Sequence, residues 1–536
     1  MRPFMLFFLA AIMLQAAAPR PNIVFILADD MGIGDVKCYG QGRSAAQTPN
    51  IDALAANGLR FTDAYVNASV CVPTRVAIMT GRYAWRFGKP EPGGPWGFLG
   101  PRFPMDTPTL AKLLNSAGYN TGYVGKWHLG TRMQTKDGKV QGPDNVDYTK
   151  PLLVGPPQHG FQDSFVLPGS LDMYPYAYAR NNIWQGKVTA QKGWSAFNRV
   201  GPAEENFKDH EVLDTFYEEA ENFIAKQCVG KPFFLYLALT SPHTPISPGK
   251  KWEGKSELGL YGDFIMETDH AVERVMAALE KQGFAENTLV LFSSDHGAGA
   301  YAGNIRKATP NQIRLLEKKG HYASGPHRGY KFSCYEGGLR VPLVAHWPKG
   351  IQPGQTSPAL IGLCDLAATF AELSGAQYKD NEFSDSHSFA HVLTDPCQPA
   401  KRKTLVMQSI GSFAVRQGDW KLCLGPGSGS YLNYGNTPRE DLAWKAAVEK
   451  FGRNPKQEDL FQPPFLQLYN VREDLHEDRN LARSHSVILD RLVNALRGQI
   501  DRGRSTLGSK LPNDRKVPLH FRLPNFIKES LSRKPH

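Results

Sequence analysis

Four apolar runs in this chain each end in a polar cluster, and that repeat restricts the possible folds more than any other feature. Ile23-Val24-Phe25-Ile26-Leu27 leads into Ala28-Asp29-Asp30, and residues 119–124 lead into Gly125-Lys126-Trp127-His128. Residues 233–239 lead into Ser241-Pro242-His243, and residues 289–292 into Ser293-Ser294-Asp295-His296. Short apolar runs without alternation fit strands buried on both faces of a parallel sheet. Amphipathic helical stretches lie between them, over residues 109–117, 211–226 and 261–282. This alternation predicts a doubly wound α/β domain. Ligands of such sheets gather beyond the carboxyl ends of the strands. Asp29, Asp30, Lys126, His128, His243, Asp295 and His296 are therefore expected along one sheet edge.

At 536 residues, with 41% hydrophobic and 21% charged residues, the chain can bury a large core and hold more than one domain. Arg2, the apolar run 4–18 and Ala16-Ala17-Ala18 read as a signal peptide over residues 1–18. That run is too short to span a bilayer comfortably, so the expectation is export, to a periplasm or beyond, with no stable membrane insertion. Export permits disulfides among the seven cysteines, but spacing does not give their pairing. A net charge of +11 suits an anionic extracellular substrate or surface, or plain solubility. The basic residues are dispersed and no nucleic-acid-binding motif is present, which disfavours nucleic acid as a partner.

Residues 130–210 are rich in Gly, Pro, Asn and aromatics and read as long loops over the same edge. Residues 380–403, polar and containing Pro396 and Pro399, read as a linker. Beyond it, Phe413-Ala414-Val415-Arg416, Trp420-Lys421-Leu422-Cys423 and Gln467-Leu468-Tyr469-Asn470 look like short antiparallel strands, and 487–500 like a helix. The expected division is a catalytic domain over 19–400 and a smaller α+β subdomain over 401–536.

Chemistry concentrates around Cys71-Val72-Pro73-Thr74-Arg75, followed by Thr80-Gly81-Arg82. Pro73 suits the first turn of a helix and Gly81 its end. Cys71 is thus expected beside a helix N-terminus, where free N–H groups and the dipole attract an anion. Arg75 adds a planar cation suited to tetrahedral oxyanions. The adjacent carboxylates Asp29 and Asp30 repel one another unless a cation sits between them, and Asp295-His296 extends that donor set. Lys126 and His128, two apart on an extended segment, are expected to point the same way.

The Cys71 run resembles the Cys-x-Pro-Ser-Arg signature of the type I, formylglycine-dependent sulfatases, with Thr74 in place of Ser. Asp29-Asp30-Met31-Gly32-Ile33-Gly34-Asp35, Thr48-Pro49-Asn50-Ile51-Asp52, Gly125-Lys126-Trp127-His128-Leu129-Gly130, Ser241-Pro242-His243-Thr244-Pro245 and Lys331 before Glu336-Gly337-Gly338-Leu339-Arg340-Val341-Pro342 resemble further patterns of that family. The resemblance covers roughly residues 20–485 and is closest to the arylsulfatase A and N-acetylgalactosamine-6-sulfatase branch. It implies an alkaline-phosphatase-like fold, with a large mixed sheet flanked by helices and a smaller C-terminal sheet.

It also implies that a maturation enzyme oxidises Cys71 to formylglycine, whose hydrate attacks sulfur. Lys126 and Lys331 would contact the sulfate, and His128 would hold the diol. His243 would protonate the leaving alkoxide. Arg75 would help neutralise the sulfuryl group. Asp29, Asp30, the Cys71-derived oxygen and Asp295 would bind calcium, with His296 where Asn is usual. Imidazole suits transition metals better than it suits calcium, so manganese and magnesium stay as rivals. Asp172, Arg180 and Asn182 are candidate contacts to sugar hydroxyls. The implied function is hydrolysis of sulfate esters on a glycan. The rivals are a phosphonate or phosphodiester hydrolase on the same scaffold and a non-catalytic glycan-binding protein.

Overall fold

The computed structural model describes residues 20–194, 198–302, 313–429, 446, 449–450 and 465–517. The expected signal peptide lies outside the described residues. A ten-stranded mixed sheet forms the centre. Its spatial order is Gln355–Ser357, Leu59–Phe61, Leu343–His346, Thr288–Ser294, Asn22–Asp29, Phe233–Pro242, Asn120–Lys126, Asp163–Leu167, Ala179–Arg180 and Ile183–Trp184. The five strands from Thr288–Ser294 to Asp163–Leu167 are mutually parallel, so their carboxyl ends share one edge.

The predicted two-sided burial is visible residue by residue in the first strand. Ile23, Phe25 and Leu27 enter one core, while Val24, Ile26 and Ala28 enter the other. The helices Pro49–Ala56, Val212–Ala225 and Leu260–Lys281 serve the second core. Cys71–Thr80, Leu110–Ser116 and Leu366–Ser374 serve the first. A four-stranded antiparallel sheet, ordered Leu405–Gln408, Phe413–Gln417, Trp420–Leu424 and Leu466–Asn470, adds its apolar side chains to that same core. The helix Ser486–Arg502 packs on it. All seven cysteines are free thiols.

Two expectations need correction. Residues 130–210 do not form only loops: Asp163–Leu167, Ala179–Arg180 and Ile183–Trp184 extend the main sheet, and Val188–Lys192 pairs with Gly201–Glu204. Short two-residue strands are too brief to leave a periodic signal. Residues 380–403 are not a free linker either. Phe383, Ser384, Asp385 and Ser386 are buried, and Ala390–Thr394 is a helix. Asp385 accepts hydrogen bonds from Arg86 Nε at 2.7 Å, Arg86 Nη2 at 2.9 Å and the backbone N–H groups of Tyr83 and Ser505 at 2.9 Å each. The polarity of the segment is that of an internal ion pair.

Arg86→Ala would leave the Asp385 charge buried and unpaired. We expect a loss of about 3–5 kcal/mol, read as a lower urea midpoint. An unchanged midpoint would show that the segment is detachable after all.

Candidate active site

Each side chain of the centre is delivered by a local backbone device. Asp29 closes its strand, and Asp30 then takes a left-handed φ of 63°, which turns consecutive carboxylates into one space. Gly125 lies so close to the neighbouring strand that a Cβ would sit 1.8 Å from the Ala238 carbonyl oxygen, and its φ is 116°. Only glycine brings Lys126 this near. His128 is not on an extended segment as expected: it has a left-handed φ of 52° just past the strand end. Non-glycine residues with such φ are uncommon and cluster at functional sites. Cys71 is the first residue of the helix Cys71–Thr80, and Gly81 ends that helix at φ 56°. The Thr74 hydroxyl donates to the Ala68 carbonyl at 2.5 Å, tying the first turn to the loop before it.

The structure brings the predicted residues together. Ligand atoms of Asp29, Cys71, Asp295 and His296 lie within 4.8 Å of one another, as do those of Asp29, Asp30, Cys71 and His243. His296 Nε2 is 3.2 Å from Cys71 Sγ, 3.3 Å from Asp30 Oδ1 and 3.5 Å from Asp295 Oδ1. Its Nδ1 faces the Gly297 carbonyl at 3.0 Å and donates a proton there, so Nε2 is the ring nitrogen turned toward the cluster.

Three buried cations balance three buried carboxylates. Lys126 Nζ donates to Asp29 Oδ2 at 2.6 Å, and Lys331 Nζ to Asp30 Oδ1 at 2.7 Å. Arg75 donates to Asp295 Oδ2 through Nε at 3.1 Å, and its Nη1 donates to the Lys126 carbonyl at 3.3 Å. Arg75 thus ties the carboxylate wall to the strand end that carries Lys126. Burial alone would raise the carboxyl groups. Lys126 beside Asp29, His243 and Lys331 beside Asp30, and His296 and Arg75 beside Asp295 overcome that and hold all three below the usual carboxylate range. Burial opposes charge on His296, but Asp295 and Cys71 raise it to about 9. The local field thus favours positive charge at the point where His296 meets Asp30 and Asp295. Burial, with Lys126 and Arg75 alongside, pushes His128 well down, so it is neutral at pH 7.

This donor set fits a divalent cation. Asp29 Oδ1 is buried with no hydrogen-bond partner, and oxygens of Asp30 and Asp295 approach the same His296 Nε2 at 3.3 and 3.5 Å. Oxygen donors suit calcium or magnesium, and the imidazole widens the fit toward manganese.

His243 lies on the other flank. Its Nε2 is 3.7 Å from Asp30 Oδ2, its Nδ1 bonds to the Thr244 carbonyl, and Asp172 Oδ1 is 4.0 Å from Nδ1. Asp172 is buried, with Oδ1 unpartnered and Oδ2 held by Arg199 Nη1 at 2.8 Å. The Arg199 guanidinium stacks 3.5 Å over the ring centre of Trp96, which is 39% exposed.

Arg180 and Asn182, expected as sugar contacts, are not at this centre. Arg180 pairs with Asp163 and Glu219 and lies over Phe165, because its short strand runs along the sheet margin. Asn182 stabilises a turn at φ 72°, donating to Gln158 Oε1 at 2.8 Å. Sequence reasoning missed Tyr301, whose hydroxyl donates to Asp30 Oδ2 at 2.9 Å, and it missed Arg199 and Trp96. The signal for Tyr301 was its place a few residues beyond Asp295-His296. Arg199 and Trp96 lie in aperiodic segments and gave none.

Comparison with known proteins places this geometry in a family. The sulfatase family profile matches residues 21–376. An N-acetylgalactosamine-6-O-sulfatase of Bacteroides thetaiotaomicron is 28% identical over 520 residues, covering 89% of this chain and 92% of its own. Arylsulfatase A of Homo sapiens is 35% identical, covering 76% of this chain and 75% of its own. A solved 6S-sulfatase from a Bacteroides thetaiotaomicron core genetic locus for metabolism of multiple glycosaminoglycans superposes with a TM-score of 0.73 at 26% identity. It covers 90% of this chain and 99% of that one.

A divalent cation at 100 times its dissociation constant should stabilise the protein by about 2.7 kcal/mol. Thermal unfolding with and without calcium reads this directly. Asp295→Asn should flatten the response; a full calcium response in that variant would remove Asp295 from the cation site.

Proposed function

Since the chain belongs to the sulfatase family and is a sulfuric ester hydrolase, we propose that it removes sulfate from a carbohydrate, acting on hexose 6-sulfates of a polysaccharide or its oligosaccharides. The observation that carries this reading is the convergence of Cys71 with Asp29, Asp295 and His296 at the end of a parallel sheet. The names of two relatives, an N-acetylgalactosamine-6-O-sulfatase and a glycosaminoglycan-locus 6S-sulfatase, support the choice of substrate class.

Cys71, converted to formylglycine, would supply the attacking oxygen as an aldehyde hydrate. Asp29, Asp30, Asp295 and His296 would hold one divalent cation, most consistent with calcium, which supplies fixed positive charge beside the sulfate. The remaining work falls to the chain's own residues. Lys126 and Lys331, each paired with one carboxylate, keep further N–H donors for sulfate oxygens, and burial makes their charge count for more than it would in water. Arg75 fixes Asp295 and the Lys126 backbone, so it acts by holding the carboxylate wall. His128, neutral and buried with Nδ1 unpartnered, can accept a proton from a hydroxyl on the Cys71-derived group.

His243 is placed to give a proton to the departing alkoxide. The sugar then lies on the His243 side, where Asp172 Oδ1 offers a free acceptor to a hydroxyl. Trp96 offers an apolar face near Arg199. Export through the N-terminal signal segment would bring the enzyme to such a substrate.

The main test is mass spectrometry of the Cys71 peptide after co-expression with a formylglycine-generating enzyme. An unmodified thiol would end this mechanism. Cys71→Ala should abolish turnover of 4-nitrophenyl sulfate. His243→Ala should cost about 10²–10⁴-fold on a sugar 6-sulfate. It should cost far less on 4-nitrophenyl sulfate, whose leaving group needs little protonation. Equal losses on both esters would remove His243 as the acid, and a large preference for a phosphonate monoester over 4-nitrophenyl sulfate would overturn the sulfate-ester assignment.

A further inference from the structure

We propose that Tyr301 is a positioning residue of this centre, whose hydroxyl locks Asp30 and His243 into one arrangement. This rests on the sulfatase reading above. Tyr301 is buried, and its hydroxyl donates to Asp30 Oδ2 at 2.9 Å while lying 3.5 Å from His243 Nε2. A phenol is both donor and acceptor, so one oxygen can serve a carboxylate and an imidazole together. The ring also lies under Lys331 Nζ, 5.6 Å from its centre. Tyr301 therefore touches a proposed cation ligand, the proposed acid and a proposed sulfate contact.

The consequence for Asp30 is directional. Its Oδ1 faces His296 Nε2 at 3.3 Å and Lys331 Nζ at 2.7 Å. Its Oδ2 takes the Tyr301 hydroxyl. A hydrogen bond to one carboxylate oxygen fixes the plane of the group and presents the other oxygen to the cation. On the other flank, His243 Nδ1 faces the Thr244 carbonyl, and the phenol, whose own proton goes to Asp30, is an acceptor that steadies the Nε2 N–H until the leaving oxygen takes that proton. The backbone makes room for this. A Cβ on Gly299 would sit 2.9 Å from Asp30 Oδ2 and 2.9 Å from Tyr301 Cζ. Glycine at 299 is what lets ring and carboxylate meet.

Tyr301→Phe keeps the ring and removes only the hydroxyl. Calcium affinity, measured by titration calorimetry, should fall about 10–100-fold. Under saturating calcium, the ratio of kcat/KM on 4-nitrophenyl sulfate to that on 4-methylphenyl sulfate should rise, because the poorer leaving group depends more on a well-aimed His243. The loss on the poorer ester should reach up to about 100-fold. Gly299→Ala should reproduce the fall in affinity by crowding the same contact. A change in both quantities with unchanged circular dichroism supports the proposal, and wild-type values of either for Tyr301→Phe overturn it. A wild-type protein that binds no calcium and cleaves neither ester would instead defeat the sulfatase reading itself.

Discussion

The structure depends on a buried set of charges that balance only as a group. Asp29, Asp30 and Asp295 are fully enclosed, and each has its own cation in Lys126, Lys331 and Arg75. No member is stable alone: an isolated charge taken from water costs several kcal/mol even after relaxation. The sheet makes the group possible by ending parallel strands at one edge. The left-handed turns at Asp30 and His128 aim the side chains inward. With three carboxylates matched by three cations, adding a divalent cation leaves the pocket positive. An anionic sulfate ester can then restore balance, so binding follows from the same electrostatics that hold the centre together.

The second layer converts that balance into rigidity. Glu336, in the run Glu336-Gly337-Gly338-Leu339-Arg340-Val341-Pro342, does not approach the cluster. It accepts from the Tyr65 hydroxyl at 2.7 Å and Lys421 Nζ at 2.8 Å, and pairs with Arg340 at 3.2 Å. Lys421 belongs to the small antiparallel sheet, so this network fastens the C-terminal sheet behind the segment that carries Lys331. Asp35 has a similar task, accepting from Gly32 N–H and the Tyr261 hydroxyl and meeting His321. Runs that read as one motif thus divide into residues that face the chemistry and residues that hold them there.

This division explains what was legible in sequence. The parallel strands and main helices were readable because each buries two faces or one stripe over many residues. The polar cluster at each strand end was readable because such sheets place ligands there. What sequence hid was of two kinds. Very short strands such as Ala179–Arg180 carry no period. Polar residues paired inside the protein, such as Asp385 with Arg86, look the same in sequence as solvated ones. Arg180 and Asn182 show a related effect: a polar side chain in an aromatic-rich stretch can serve the fold's own ion pairs and turns. For Arg75 geometry adds what sequence does not show, that Nε binds Asp295 and Nη1 the Lys126 carbonyl.

The site therefore has two ends governed by different physics. The sulfate end is enclosed, charged and over-determined: Lys126, Arg75 and Asp295 each contact more than one member of the cluster. Small displacements there disturb many strong interactions at once, which suits it to the invariant part of a substrate. The flank proposed for the sugar, from His243 through Asp172 and Arg199 to Trp96, has few contacts per residue and reaches solvent. Apart from His243, which follows the strand Phe233–Pro242, its residues come from segments lacking long regular elements, which tolerate change without unsettling the sheet. Asp172 links the two ends, since one oxygen is tied to Arg199 and the other is free beside His243. A sugar hydroxyl that satisfies that oxygen would be recognised at the point where the leaving oxygen receives its proton. Selection of the sugar and the departure of its oxygen are then coupled through adjacent groups, while the charge chemistry behind them stays the same for any ester admitted.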